Sequence, residues 1–267
     1  MEGFIDTLNG LIWSNWLVFL CLGAGAYFTL VTLFLQIRCL PDMIRQLKSG
    51  EKSEEGISSF QSLMISLAGR VGVGNIAGVA TAIAFGGPGA VFWMWLVALL
   101  GSATSFIECC LAQIYKETDR DTGEYRGGPA YYIEKAYKHT TAAPFMLVYA
   151  IIFAICMLLA TSYFLPGIQA NGVAAAVDNA WGIDVKISAA VMAILLAFII
   201  IGGVKRIANF ASMVVPFMAA IYIIIAIVVL FANASDIPEV FGVIFRSAFD
   251  KEAAFSGMLG AAIMWGV

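Results

Sequence analysis

One short stretch concentrates the residues able to do chemistry. Between Ser66 and Trp93 the chain reads SLAGRVGVGNIAGVATAIAFGGPGAVFW, an apolar segment that carries one arginine, Arg70, one asparagine, Asn75, and seven glycines. Asn75 supplies the sole side-chain oxygen between Ala68 and Val79. A glycine inside a helix costs roughly 1 kcal/mol relative to alanine, so Gly69, Gly72, Gly74 and Gly78 together predict a helix that breaks near Gly72 to Asn75. A break releases amides and carbonyls from the helical ladder, and those groups are suited to a carboxylate and to a hard cation respectively. Irregular backbone at membrane depth survives only where it is buried in protein or lines a cavity. Two other readings compete. Gly74 and Gly78, four apart, make a small-xxx-small surface on which membrane helices approach closely, although this gives Gly69, Gly72, Arg70 and Asn75 no use. The run Gly72-x-Gly74-x-x-x-Gly78 has a superficial likeness to a dinucleotide-binding turn. It lacks the preceding strand and the acidic residue about 20 positions on that such a turn requires.

The elements that position this stretch follow from composition. Of 267 residues, 61 % are hydrophobic and 12 % charged, and the mean hydropathy is +0.89; so little polar material cannot coat a soluble globule. The expectation is an all-α, polytopic integral membrane protein with the lipid bilayer as its principal partner. Apolar runs of about 20 residues or more, enough to cross roughly 30 Å of hydrocarbon, fall at about 11–37, 59–86, 88–115, 143–177, 186–203 and 207–232, and a seventh begins near 253. Residues 1–10 carry Glu2 and Asp6 rather than a basic leader, so the first run reads as a retained helix and not a signal peptide.

The basic residues set an orientation, because lysine and arginine are retained on the cytoplasmic side. With the N-terminus outside, eleven of the 15 basic residues fall in the inner loops and three in the outer ones, while Arg70 lies within a span. Gly86 to Gly89 reads as a tight outer turn that leads through Pro88 into the next helix. Residues 116–142 read as a polar inner loop ending in a short interfacial helix over Pro129 to Lys138, with Tyr131, Tyr132 and Tyr137 interleaved with charge.

Several function classes are excluded by the same inventory. A net charge of -3 without any basic stripe gives no footprint for nucleic acid. The five cysteines include no Cys-x-x-Cys pair and the single histidine, His139, lies near none of them, which argues against a disulfide framework or a zinc site and for small buried hydrophobes. No Ser-His-Asp set, metal cluster or pair of catalytic carboxylates falls within the spans, so the chain does not read as an enzyme and implies no cofactor.

The runs GRVGVGNIAGVATAIAFGGPGAVFWMW and GEYRGGPAYYIEKA closely resemble the alanine or glycine:cation symporter family, sodium-coupled amino-acid transporters of bacterial-type plasma membranes. The resemblance extends from about Leu17 to the last residue. It implies a LeuT-type fold: 1–58 as an extra N-terminal helix and cytoplasmic loop, 59–235 as the first five-helix inverted repeat, and 236–267 as an outer loop and the start of a second repeat. Family members continue beyond the stretch AAIMWGV, so this sequence is expected to be an N-terminal portion holding half of a transport site. By the same resemblance, the backbone of Val73, Gly74 and Asn75 receives the substrate carboxylate, and Gln169, in LPGIQANGVAAA, contacts the substrate's polar groups. The side chain of Asn75 and the carbonyls of Gly69, Gly72 and Val73 take the coupling sodium ion. Related members tend to carry threonine where this chain has Val73, so a hydroxyl is lost and the backbone must serve. Gln169 equally suits an interhelical hydrogen bond.

Arg70 and Glu108 both fall inside predicted spans, where a charge needs a partner. They could pair with each other across antiparallel neighbours, Arg70 could pair with an acid beyond Val267, or either could serve gating. The functional expectation is sodium-coupled symport of alanine or glycine by alternating access. The alternative is a channel or structural membrane protein whose glycines only pack helices.

Overall fold

The computed structural model describes residues 14–49, 57–121, 123 and 125–249, together with Gly3, Thr7 and Gly10. The chain is mostly helical and divides into two compact units. One unit takes the described residues within Met1–Met43, Ala77–Ile107 and Ile225–Val267; the other takes those within Ile44–Ile76 and Glu108–Ile224.

The expected spans are present as helices. They are α1 (Asn15–Val31), α2 (Leu35–Arg38), α3 (Leu40–Ser49), α4 (Ser59–Arg70), α5 (Val79–Gly86), α6 (Gly89–Ile114), α7 (Pro129–Ala136), α8 (Ala143–Leu159), α9 (Leu165–Trp181), α10 (Val185–Ile200), α11 (Gly203–Ala232) and α12 (Ile237–Ala248). Among the described residues α6, the 39-residue helix Ala143–Trp181 and α11 are each long and apolar enough to cross a membrane, and the bent helix pair within 59–86 is so when taken as one span. The seventh run, near 253, lies outside the described residues.

Local sequence explains where the helices stop. Helix α9 runs four residues past the expected end at 177, because Asp178 and Asn179 continue the ladder and only Gly182, at φ 67, supplies the left-handed residue that ends it. Asp184 then caps α10 by accepting from the Lys186 amide at 2.7 Å. Helices α8 and α9 are joined by one wide turn of π-helix, Ala160–Phe164. Pro166 follows at the start of α9. It has no amide to offer the Ser162 carbonyl, and the wider turn relieves the clash that its ring would otherwise make there. Helix α1 stops at Val31, short of the expected 37, at a turn in which Leu33 and Phe34 both take left-handed backbone, φ 53 and 54. Such backbone costs non-glycine residues about 1–3 kcal/mol each. The Gln36 amide spans this turn, donating to the Thr29 hydroxyl at 3.1 Å and the Leu99 carbonyl at 3.4 Å.

Besides α3, which occupies part of the expected cytoplasmic loop, two elements were not anticipated. The polar loop contains a two-residue antiparallel ladder in which Glu117 faces Arg126 and Thr118 faces Tyr125. Lys135 of α7 clasps it, donating to the Tyr115 carbonyl and reaching Glu117, both at 2.7 Å. That hydrogen bond holds the Glu117 carboxyl below the ordinary carboxylate value. Beneath it, burial and then the Glu108 charge push the Tyr132 phenol upward. The second surprise is α12, where a loop was expected.

Helix α12 packs on the start of α6 through rings. Phe92 lies 5.6 Å from Phe245 and 4.8 Å from Phe249, and Trp95 lies 5.9 Å from Phe241. The contact depends on Gly89, whose amide donates to the Ser247 hydroxyl at 3.1 Å and where an added Cβ would stand 2.7 Å from the Ala248 nitrogen. Because the obstructing atoms are backbone, Gly89→Ala should destabilise this unit by about 1–3 kcal/mol. The expected readout is a fall of several degrees in the thermal midpoint of the purified protein; an unchanged midpoint would mean that α12 does not rest on α6 in this way.

Candidate functional site

The broken helix is anchored at its start by sequence-local chemistry. The Ser58 hydroxyl accepts from the Gln61 amide at 3.2 Å, and the Gln61 side chain accepts from the Ser58 amide at 3.0 Å. This reciprocal cap satisfies two of the donors that every helix leaves open at its N-terminus. Gln61 also donates to Asn209 of α11 at 2.8 Å. One turn on, Met64 packs with Ala211 and Val215 of α11, flanked by Ile65 and Leu67. The first half of the span is therefore fixed to α11 by a polar clip and an apolar contact.

The break follows immediately. Helix α4 ends at Arg70; Val71 turns to extended backbone, φ -105 and ψ 106, and Gly74–Gly78 re-enter as a wide π-helical turn leading into α5. The two helical pieces are bent by 52°. The break was expected at Gly72 to Asn75 and falls at Val71 to Val73. Gly74 and Asn75, expected to be unwound, already belong to the helical turn, with the Asn75 amide bonded to the Gly72 carbonyl at 3.1 Å. The shift has a cause in residue type: β-branched Val71 favours the extended region, and Gly72 after it accepts whatever path the chain then takes.

What happens to the released amide defines the site. In an unbroken helix the Val73 N–H would point at the Gly69 carbonyl; here it donates to Oε1 of Gln169 in α9, at 2.8 Å. Leaving such a donor unpaired away from water costs about 1–3 kcal/mol. The approach of α9 to the break is close because two glycines permit it. A Cβ on Gly72 would lie 2.7 Å from Nε2 and 2.9 Å from Oε1 of Gln169, and a Cβ on Gly172 would lie 2.6 Å from Cγ1 of Val73. Gly172 was not anticipated as a site residue. It follows Gln169 by three positions and so shares its helix face, a spacing visible in the run QANG.

The other candidates take distinct positions. A Cβ at Gly69, Gly74 or Gly78 would meet nothing within 4 Å among the described residues, so the small-xxx-small pair makes no close helix contact there. The Asn75 side chain is exposed two residues beyond the break. Arg70, on the last turn of α4 where a cation complements the helix dipole, bends back to the carbonyl and hydroxyl of Ser66. Glu108, exposed on α6, acts on the Tyr132 phenol. The arrangement thus joins Val73, Gly72 and Gln169 directly and sets Gly74 and Asn75 on the adjoining turn. It presents partial positive charge from the N-terminal amides of the second half-helix, suited to an anion. The Gly69 carbonyl, deprived of its helical donor, offers an oxygen suited to a hard cation.

Two glycines of one helix provide a test. Gly172→Ala should push Val73 and cost about 1–3 kcal/mol, whereas Gly167→Ala, with open space within 4 Å, should be neutral or stabilise by up to ~1 kcal/mol through helix propensity. Thermal unfolding of both variants checks this; equal effects would show that α9 does not press on the break.

The model of the sodium:alanine symporter family matches residues 1–267. A Bacillus subtilis protein provisionally named a sodium/proton-dependent alanine carrier is 50% identical over 267 residues, covering 100% of this chain and 53% of its own length. A second protein of that organism, provisionally named a sodium/glutamine symporter, is 42% identical, covering 100% of this chain and 54% of itself. The sodium/alanine symporter of Methanococcus maripaludis is also 42% identical, covering 98% of this chain and 58% of itself. The chain spans about half the length of the curated relatives it matches, and it belongs to the sodium:alanine symporter family.

Proposed function

We propose that the protein of which this chain forms the first part is a sodium-coupled symporter of a small neutral amino acid, alanine or glycine, working by alternating access on a LeuT-type scaffold. The observation that supports this reading best is the break at Val71 to Val73, which frees backbone groups of both polarities inside a predominantly apolar span. A zwitterionic amino acid together with a sodium ion asks for that combination: amide donors for the carboxylate and oxygens for the cation. In this reading the amides of Val73 and Gly74 receive the carboxylate, and Gln169 contacts the substrate from α9. The Asn75 side chain and the carbonyls of Gly69, Gly72 and Val73 hold sodium, while Arg70 and Glu108, expected as buried charges, are both exposed among the described residues. Relatives carry names of alanine and glutamine carriers, so the choice among neutral amino acids rests on the small residues around the break.

The reading is tested at Asn75. If its carboxamide oxygen ligates sodium, Asn75→Leu in the full-length protein abolishes sodium-dependent alanine uptake into proteoliposomes while expression and insertion stay normal. Loss of folded protein instead would point to helix packing, and an unchanged sodium dependence would remove Asn75 from the site.

The orientation proposed for the plasma membrane places the N-terminus outside, because eleven of 15 basic residues then face inward. In a background lacking the five native cysteines, Ser49→Cys should resist an impermeant thiol reagent added to intact cells and react after permeabilisation. Ready labelling in intact cells would reverse the topology.

A further inference from the structure

The carboxamide of Gln169 occupies the place that the reading above gives to the substrate. Its Oε1 accepts the Val73 N–H at 2.8 Å, the same donor assigned there to the amino-acid carboxylate. Its whole terminal group lies flat over Gly72, in the space a Cβ would fill. We propose that Gln169 is a stand-in for the substrate carboxylate: its Oε1 satisfies the amide released at the helix break, and an arriving carboxylate displaces it.

Three features carry this beyond a fixed interhelical bond. First, the bond is between neutral groups, and a carboxylate oxygen accepts from an amide about twice as strongly as a neutral carbonyl does, so the exchange runs in favour of the substrate. Second, Gln169 is exposed on α9 among the described residues. Its side-chain end can therefore swing away without opening a packed cavity, whereas the neighbouring Val73 to Gly172 contact stays in place and keeps α9 against the break. Third, the carboxamide has two faces. Oε1 must face Val73 because that partner is a donor, so the NH2 group points elsewhere; after displacement it is free to donate to the second oxygen of the same carboxylate. Gln169 would then change from acceptor on the protein to donor on the ligand. Gly72 is what allows the resting pose, since a methyl group there overlaps the carboxamide.

The inference rests on the transport reading, and its test separates the two. Peptide-resolved hydrogen exchange over 68–78 is measured on the full-length protein in lipid nanodiscs, with sodium, alone and with saturating L-alanine or L-alaninamide; sodium-driven alanine uptake is measured in parallel. Gln169→Asn keeps the carboxamide but draws it back by one methylene, and Gly72→Ala leaves Gln169 intact while filling its resting place. Both variants should show exchange around Val73 raised by roughly tenfold in the empty protein. L-alanine should restore protection and L-alaninamide, which lacks the carboxylate, should not. Exchange as slow as wild type in both empty variants, or equal protection by alaninamide, overturns the inference while leaving sodium-driven uptake, and hence the transport reading, standing. A wild-type protein that neither binds nor transports alanine overturns both.

Discussion

A single backbone amide organises the region around the break. In hydrocarbon there is no water to take up an unpaired N–H, so a helix can be interrupted only where another part of the protein replaces the lost bond. The Val73 N–H is where the ladder of this span fails, and Gln169 is the replacement. Everything near it serves to hold the two together. Gly72 and Gly172 remove the side chains that would keep α9 away. The Ser58 and Gln61 cap, the Gln61 to Asn209 bond and the Met64 contact with Ala211 and Val215 fix α4 against α11, so that the break occurs at one place along the span. Without such anchoring, a segment with four glycines between 69 and 78 would have several positions of similar energy at which to open.

The larger features could be read from residue order because each depends on a strong local signal. Apolar run length gives the spans, Gly86 to Gly89 gives the turn before α6, and glycine density gives the existence of the break. Its register could not be read, because residues 69–78 offer glycine at several steps and the choice is made by the extended preference of Val71 combined with the arrival of Gln169, 96 residues away in sequence. The same limit applies to Gly172, whose importance comes from the side chain it faces rather than from its own position. Helix α12 escaped notice because its 12 residues are too short to register as a span. Its apolar face acquires meaning only against the rings of α6. The ladder of Glu117 and Thr118 with Tyr125 and Arg126 was hidden for another reason: two residues per strand carry no periodicity, and Lys135, from a different element, clasps Glu117.

The glycines of the opening motif divide into two physical kinds. Gly72, like Gly172 on the opposing helix, is required because another group fills the space of its missing side chain. Gly69, Gly74 and Gly78 meet nothing within 4 Å among the described residues; like every glycine they lower the helical propensity of the segment, and Gly74 and Gly78 bound the wide turn at 74–78.

Arg70 ends the half-helix that leads into the break, and a full positive charge projecting forward would attract an anion and repel a cation bound beside it. Its guanidinium instead bends back to Ser66, one turn earlier on α4. There it complements the carbonyl end of the helix dipole. Among the described residues the break offers the partial charges of backbone amides and carbonyls. Partial charges of both signs suit the dipolar ligand of the proposed reading.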